Sequence, residues 1–92
     1  MTIKEAHQSQ GYIAMPYSVL DLRMGMVDKL VLSFFINSQE FYEQKIGEFK
    51  PAIGYAAKRL RISNAEYRES VKRLTSRGYI SFDDWVIKVQ EF

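Results

Sequence analysis

The chain has 92 residues, 47% hydrophobic and 26% charged, with no cysteine and a single histidine. That length houses one small core and excludes a two-domain enzyme. The absence of cysteine excludes a disulfide framework, a thiolate nucleophile and a thiolate zinc site, and suits a reducing, cytoplasmic setting. A lone His7 in a polar stretch leaves too few parts for a histidine metal site or a histidine-centred triad, so no catalytic residue, metal or cofactor is expected.

The formal net charge of +2 is unevenly spread. Residues 1–49 sum to minus two and residues 81–92 to minus two, whereas residues 50–80 carry eight basic side chains against only Glu66 and Glu69, an excess of six. A basic segment inside a nearly neutral chain is expected of a surface that meets a polyanion, because each Lys or Arg on a phosphate releases condensed counterions; a solvated helix face is the plainer alternative. Residues 1–10 are too polar for a signal-peptide core, and the most apolar run, residues 30–36, is far shorter than the roughly 20 residues that span a bilayer. Neither export nor membrane insertion is expected; residues 1–10 should form a loose tail and residues 11–92 a single domain.

Taken in chain order, Gly11 and Pro16 bracket a short aromatic and apolar segment at 12–15, expected as an edge strand, and Pro16 suits the first turn of a short helix reaching Leu20. Residues 26–39 contain neither glycine nor proline, and Met26, Val27, Leu30, Val31, Leu32, Phe34, Phe35 and Ile36 make the stretch apolar on nearly every side. That pattern marks a central core helix packed from several directions, with a dimer contact as the other use for its excess apolar width. Phe41, Tyr42, Ile46 and Phe49 alternate with charged residues and read as a loop or weak strand. Their neighbours Glu40, Glu43 and Glu48 favour core or partner packing over base stacking.

Beyond Pro51, placed for a first helical turn, Ile53, Ala56, Ala57 and Leu60 recur at helical spacing. Ser63 and, three residues on, Glu66 form a capping box, so a second helix should begin at Asn64, bury Tyr67, Val71 and Leu74, and stop at Gly78. After Gly78 the period becomes two. With Asp83 and Asp84 as a two-residue turn, Phe82 would pair with Trp85, Ile80 with Ile87 and Gly78 with Val89, placing Ile80, Phe82, Trp85, Ile87 and Val89 on one face. A slightly longer loop is the alternative, since tight hairpin turns favour glycine or asparagine. Trp85 is expected as a core residue or hairpin anchor in preference to a binding role.

Helix, the three-residue turn Arg61-Ile62-Ser63, capped helix and hairpin form an order that resembles the winged helix-turn-helix domains. Ala57, Ile62, Ser63, Val71, Leu74, Gly78 and Ile80 fall where that family places a small residue for close helix crossing, an apolar turn residue, the cap, two core residues, the helix stop and the first strand residue. Upstream, Gly11-Tyr12-Ile13-Ala14-Met15-Pro16 followed by Ser18-Val19-Leu20 looks like the amino-terminal domains of phage and plasmid replication initiators, and the resemblance covers residues 11–88. It implies a mainly helical α+β fold with a C-terminal two-stranded β-hairpin as its wing. It also implies sequence-specific binding of double-stranded DNA by a non-catalytic homodimer that regulates transcription or replication, two recognition helices supplying the half-site spacing. Base reading would fall to Asn64, Ala65, Arg68, Glu69 and Lys72, and phosphate contact to Lys50, Arg59, Arg61, Ser63, Arg73 and Arg77.

The chain departs from the family pattern at Arg61, where the turn often has glycine, and at Tyr67, where valine or isoleucine is usually buried. Glu69 must accept from cytosine, pair with Arg73 or repel phosphate. The acidic tip Asp83-Asp84 is expected not to grip DNA closely. The rival expectation is a winged helix with little DNA affinity that binds a replication, transcription or defence protein, motivated by Glu66, Glu69, the acidic tip, and Phe41 and Tyr42 if exposed.

Overall fold

The computed structural model describes residues 13–91, so the tail expected at 1–10 lies outside the described residues. Among the described residues six elements follow one another: α1 (Tyr17–Leu20), α2 (Met26–Ile46), α3 (Ile53–Leu60), α4 (Asn64–Ser76), β1 (Ile80–Asp83) and β2 (Val86–Val89). Over the described residues the fold is α+β, four helices followed by a two-stranded antiparallel hairpin. No helix among the described residues is long and apolar enough to cross a membrane.

The edge strand expected at 12–15 does not form over its described part: residues 13–16 have no regular structure, and Tyr12 lies outside the described residues. A side chain takes the place of a neighbouring strand. Asn37 Nδ2 donates to the Ala14 carbonyl at 2.7 Å while Asn37 Oδ1 accepts the Ala14 N–H at 3.4 Å. Pro16 is the residue that caps α1 and does not sit in its first turn; its carbonyl accepts the N–H groups of Val19 and Leu20 at 3.0 Å.

Helix α2 is apolar on nearly every side because α1, α3, α4 and β2 all pack against it. Val31, Leu32 and Phe35 are fully buried, and the Phe35 ring meets those of Phe49 and Tyr67 edge-on at 5.7 and 6.2 Å. The helix does not stop near Gln39. It runs on to Ile46 through Phe41 and Tyr42, so the loop or weak strand expected there does not form, and ends where Gly47 takes φ 83° and donates its N–H to Glu43 at 2.8 Å. Residues four apart meet along this extension, Gln44 with Glu40 at 3.4 Å and the Lys45 ammonium 5.0 Å above the Phe41 ring.

Pro51 precedes the cap residue Ala52 of α3 and so stands outside its first turn. Ala56 and Ala57 are buried, allowing α3 and α4 to approach closely. The turn between them closes with Arg61 N–H on Lys58 at 3.2 Å and Ile62 N–H on Ala57 at 3.1 Å, and Arg61 takes the left-handed conformation at φ 58°. The far end of α4 closes the same way: Gly78, at φ 81°, donates to Thr75 at 3.1 Å and Tyr79 donates to Leu74 at 3.0 Å. Between these ends α4 buries Tyr67, Ser70, Val71 and Leu74.

The hairpin exists, but its register differs by two residues from the one expected. Ile80 pairs with Val89, Phe82 with Ile87 and Asp83 with Val86, leaving Asp84-Trp85 as the turn. Both turn residues have positive φ, 51° and 67°, as a type I′ turn requires. Contacts outside the hairpin hold β2 in place. On the β2 edge away from β1, Ile87 N–H donates to the Phe49 carbonyl at 2.8 Å and Val89 N–H to Gln39 Oε1 at 2.7 Å. Trp85 is consequently no core residue; it is 56% exposed, touching Phe82 edge-on with ring centres 5.6 Å apart.

Candidate nucleic-acid interface

Helix α4 begins where Ser63 Oγ accepts the Glu66 N–H at 3.0 Å and Glu66 Oε1 accepts the Ser63 N–H at 3.0 Å. The complete box fixes the first turn and orients everything that follows. Hydrogen bonds from the Ser63 backbone, then from its side chain, hold the Glu66 carboxyl below its ordinary pKa. With Tyr67, Ser70, Val71 and Leu74 turned inward, Asn64, Ala65, Arg68, Glu69 and Lys72 are all exposed, so the structure brings the five proposed base readers to the outer arc of one helix.

That arc is divided electrostatically. On the side of the hairpin stand Arg68, Lys72, Thr75 and Ser76, and they wall a cleft with Tyr67, Val71, Phe82 and Trp85. On the other side Ala65, Glu66, Glu69 and Arg73 border a shallow depression against Val27 at the start of α2. The Glu69 carboxylate lies 3.4 Å from Lys72, a pairing beyond the three roles expected of it, and its negative charge also acts on Arg73.

The proposed phosphate contacts are dispersed. Lys50 precedes α3 and lies 3.9 Å from Glu48, Arg59 is exposed on α3, and Arg61 occupies the turn. The Ser63 oxygen is engaged in the cap. Arg77 follows the last turn of α4, about 20 Å from Asn64 at 1.5 Å per residue. Arg73 is committed internally: its Nε donates to Asp28 Oδ2 at 2.9 Å and its Nη2 to Oδ1 at 2.8 Å, with Ser70 Oγ donating to Oδ1 at 2.7 Å. Asp28 is only 3% exposed. Burial alone would raise its pKa, but hydrogen bonds from Arg73 and Ser70 and the positive charges of Arg73 and Arg77 outweigh it, so the carboxyl is held below its ordinary value. Among the described residues Lys58, Arg61 and Arg68 form no ion pair or side-chain hydrogen bond, which leaves their charges to solvent or a ligand.

Two parts of this surface leave no signal in the sequence. The cleft is one, because Pro51, Ile53, Tyr67 and Trp85 are brought together only by the fold. The Asp28 anchor is the other, because nothing near Asp28 in the chain signals an arginine 45 positions on. The chain matches no family model, and neither a curated protein nor a solved structure matches it.

Proposed function

We propose that the chain is a sequence-specific double-stranded DNA-binding protein of winged-helix type, a cytoplasmic phage- or plasmid-type homodimer that regulates transcription or replication without catalysis. The observation that carries this reading is the placement of α4. A capped helix presents Asn64, Ala65, Arg68, Glu69 and Lys72 outward, joined by three residues to α3 and followed at once by a hairpin. The Phe49 carbonyl bond to Ile87 adds support, because it supplies a third rung from the segment before α3, as a winged-helix sheet has. In this reading the first turns of α4 enter the major groove, Arg68 reads guanine, and Lys50, Arg59, Arg61 and Arg77 hold phosphates. Arg73 contributes less, its charge being matched by Asp28.

Selection of bound duplexes from a random pool tests both parts: enrichment of a palindrome supports specificity and two-fold pairing together. On the selected site, Arg68→Ala should cost about 1–3 kcal/mol, whereas Arg61→Ala and Arg77→Ala should weaken binding to all duplexes and flatten its salt dependence. No enrichment, with elution from heparin at low salt, refutes the reading. A second reading, a protein-interaction module with little DNA affinity, is favoured by one observation: the hairpin tip carries exposed Phe82 and Trp85 around Asp83 and Asp84, a combination suited to a protein surface and ill suited to phosphate.

A further inference from the structure

The hairpin tip stands over a cleft of about 430 Å³ bounded by α4, by the hairpin, by Pro51 and by Ile53 at the start of α3. Phe82 and Trp85 form one wall and Tyr67 and Val71 the floor, while the polar groups on its rim include Arg68 and Lys72 but no carboxylate. Phe82 is 41% and Trp85 56% exposed, so two large apolar rings remain accessible at the cleft. Trp85 moreover holds φ 67° in a turn that glycine would relax. A bulky side chain kept at such a position points to a use for the ring.

We propose that this cleft binds a small apolar anion, an aromatic or medium-chain carboxylate, with its hydrocarbon between the Phe82 and Trp85 rings and the Tyr67–Val71 floor and its carboxylate on Arg68. Size and lining agree: the volume falls within the range of small-ligand sites, which are mostly apolar with a few placed polar groups. Charge selects the anion. Lys72 already lies 3.4 Å from Glu69, whereas Arg68 has no carboxylate partner among the described residues and offers a planar donor fork. Charge also selects a compact ligand, because Asp83 and Asp84 beside Trp85 repel an extended polyanion laid across the tip, while a single carboxylate at Arg68 stays on the α4 side. Arg68 belongs to the proposed DNA face as well, so a bound anion would withdraw it from DNA. This consequence rests on the DNA reading; anion binding itself does not.

Trp85 is the only tryptophan, so its emission reports on the cleft directly. The full chain is titrated with decanoate, 4-phenylbutyrate and the amide of the latter. The proposal expects saturable blue-shifted emission with both carboxylates and at least tenfold weaker binding of the amide. Arg68→Gln should weaken the carboxylates at least tenfold and leave the amide unchanged, and Phe82→Ser, its fold checked by circular dichroism, should abolish the response. Trp85→Gly, which relaxes the turn, should raise thermal stability and yet lose the heat of 4-phenylbutyrate binding in calorimetry. A linear response, equal affinity for amide and carboxylate, or indifference to Arg68→Gln overturns the proposal. So does an emission shift with protein concentration alone, which would mean that a second copy covers the cleft, or an equal Phe82-dependent shift with random duplex. Saturable carboxylate binding that leaves duplex affinity unchanged overturns only the coupling to DNA.

Discussion

Replacing Arg73 by methionine keeps the aliphatic stem of the side chain on α4 and removes the guanidinium from Asp28. The carboxylate, 3% exposed, would retain only the Ser70 hydrogen bond. Stripping a partner from a buried charge typically costs 3–5 kcal/mol; because the Arg73 side chain is 46% exposed and water can replace part of it, about 2–4 kcal/mol is expected here. The reverse change is milder. Asp28→Asn keeps a partner for Ser70 and frees a guanidinium that already reaches water, so about 1–2 kcal/mol should be lost. The double variant leaves no charge buried and should be more stable than Arg73→Met alone. Urea unfolding at pH 7 of the wild type, both single variants and the double variant measures this ordering; equal losses, or a larger loss from Asp28→Asn, would refute the assignment of Asp28 as the buried partner. The pH dependence follows from the lowered carboxyl pKa. The unfolded chain takes up the proton first, near pH 4, so the stabilisation is whole above that pH and disappears as pH falls through the lower folded value. The wild type should therefore lose stability below about pH 4, and Asp28→Asn should lack that component.

Arg61→Gly should stabilise the protein by up to about 1 kcal/mol, since the left-handed residue would no longer carry a Cβ, whereas Arg61→Ala should give no such gain; urea midpoints separate the two. Ser63→Ala should cost about 1 kcal/mol through loss of the α4 cap and, because the backbone N–H at 63 remains, should let the Glu66 pKa rise only part of the way toward its ordinary value, followed by NMR titration. Burial pushes the Tyr67 hydroxyl up to about 12, so its contribution is whole below the ordinary value of 10 and is lost as pH rises toward 12. Tyr67→Phe should remove that part of the alkaline destabilisation, and tyrosinate absorbance should show one of the six tyrosines ionising last.

The signals legible in the sequence were those that act over one helical turn. Ser63 with Glu66, and Gly78 after Leu74, each satisfy backbone groups of α4 locally, so the residue types alone located both ends of the helix. The length of α2 was hidden by charge. Glu40, Glu43 and Lys45 break the apolar stripe, although the spacing of Phe41 to Lys45 and the glycine at 47 are helical signals in their own right. The candidate site was legible as an accumulation of cations but not as a set of available ones, because Asp28 takes Arg73 from a distant part of the chain.

The hairpin register shows most clearly why local pattern stops short of the site. Alternation reports which face a side chain occupies, and sliding one strand by two residues returns every paired side chain to the same face, so periodicity is blind to that slip. The choice is supported by hydrogen bonds from elsewhere, the Phe49 carbonyl on Ile87 and the Gln39 amide oxygen on Val89. Their consequence appears at the other end of the strands. With Ile80 opposite Val89, Trp85 moves out of the paired ladder into the turn, takes positive φ, and sets its ring beside Phe82 over α4. Two contacts from outside the hairpin thus hold β2 in place, and with β1 following directly on α4 the register of the two strands sets where the exposed aromatic wall of the cleft stands relative to Arg68.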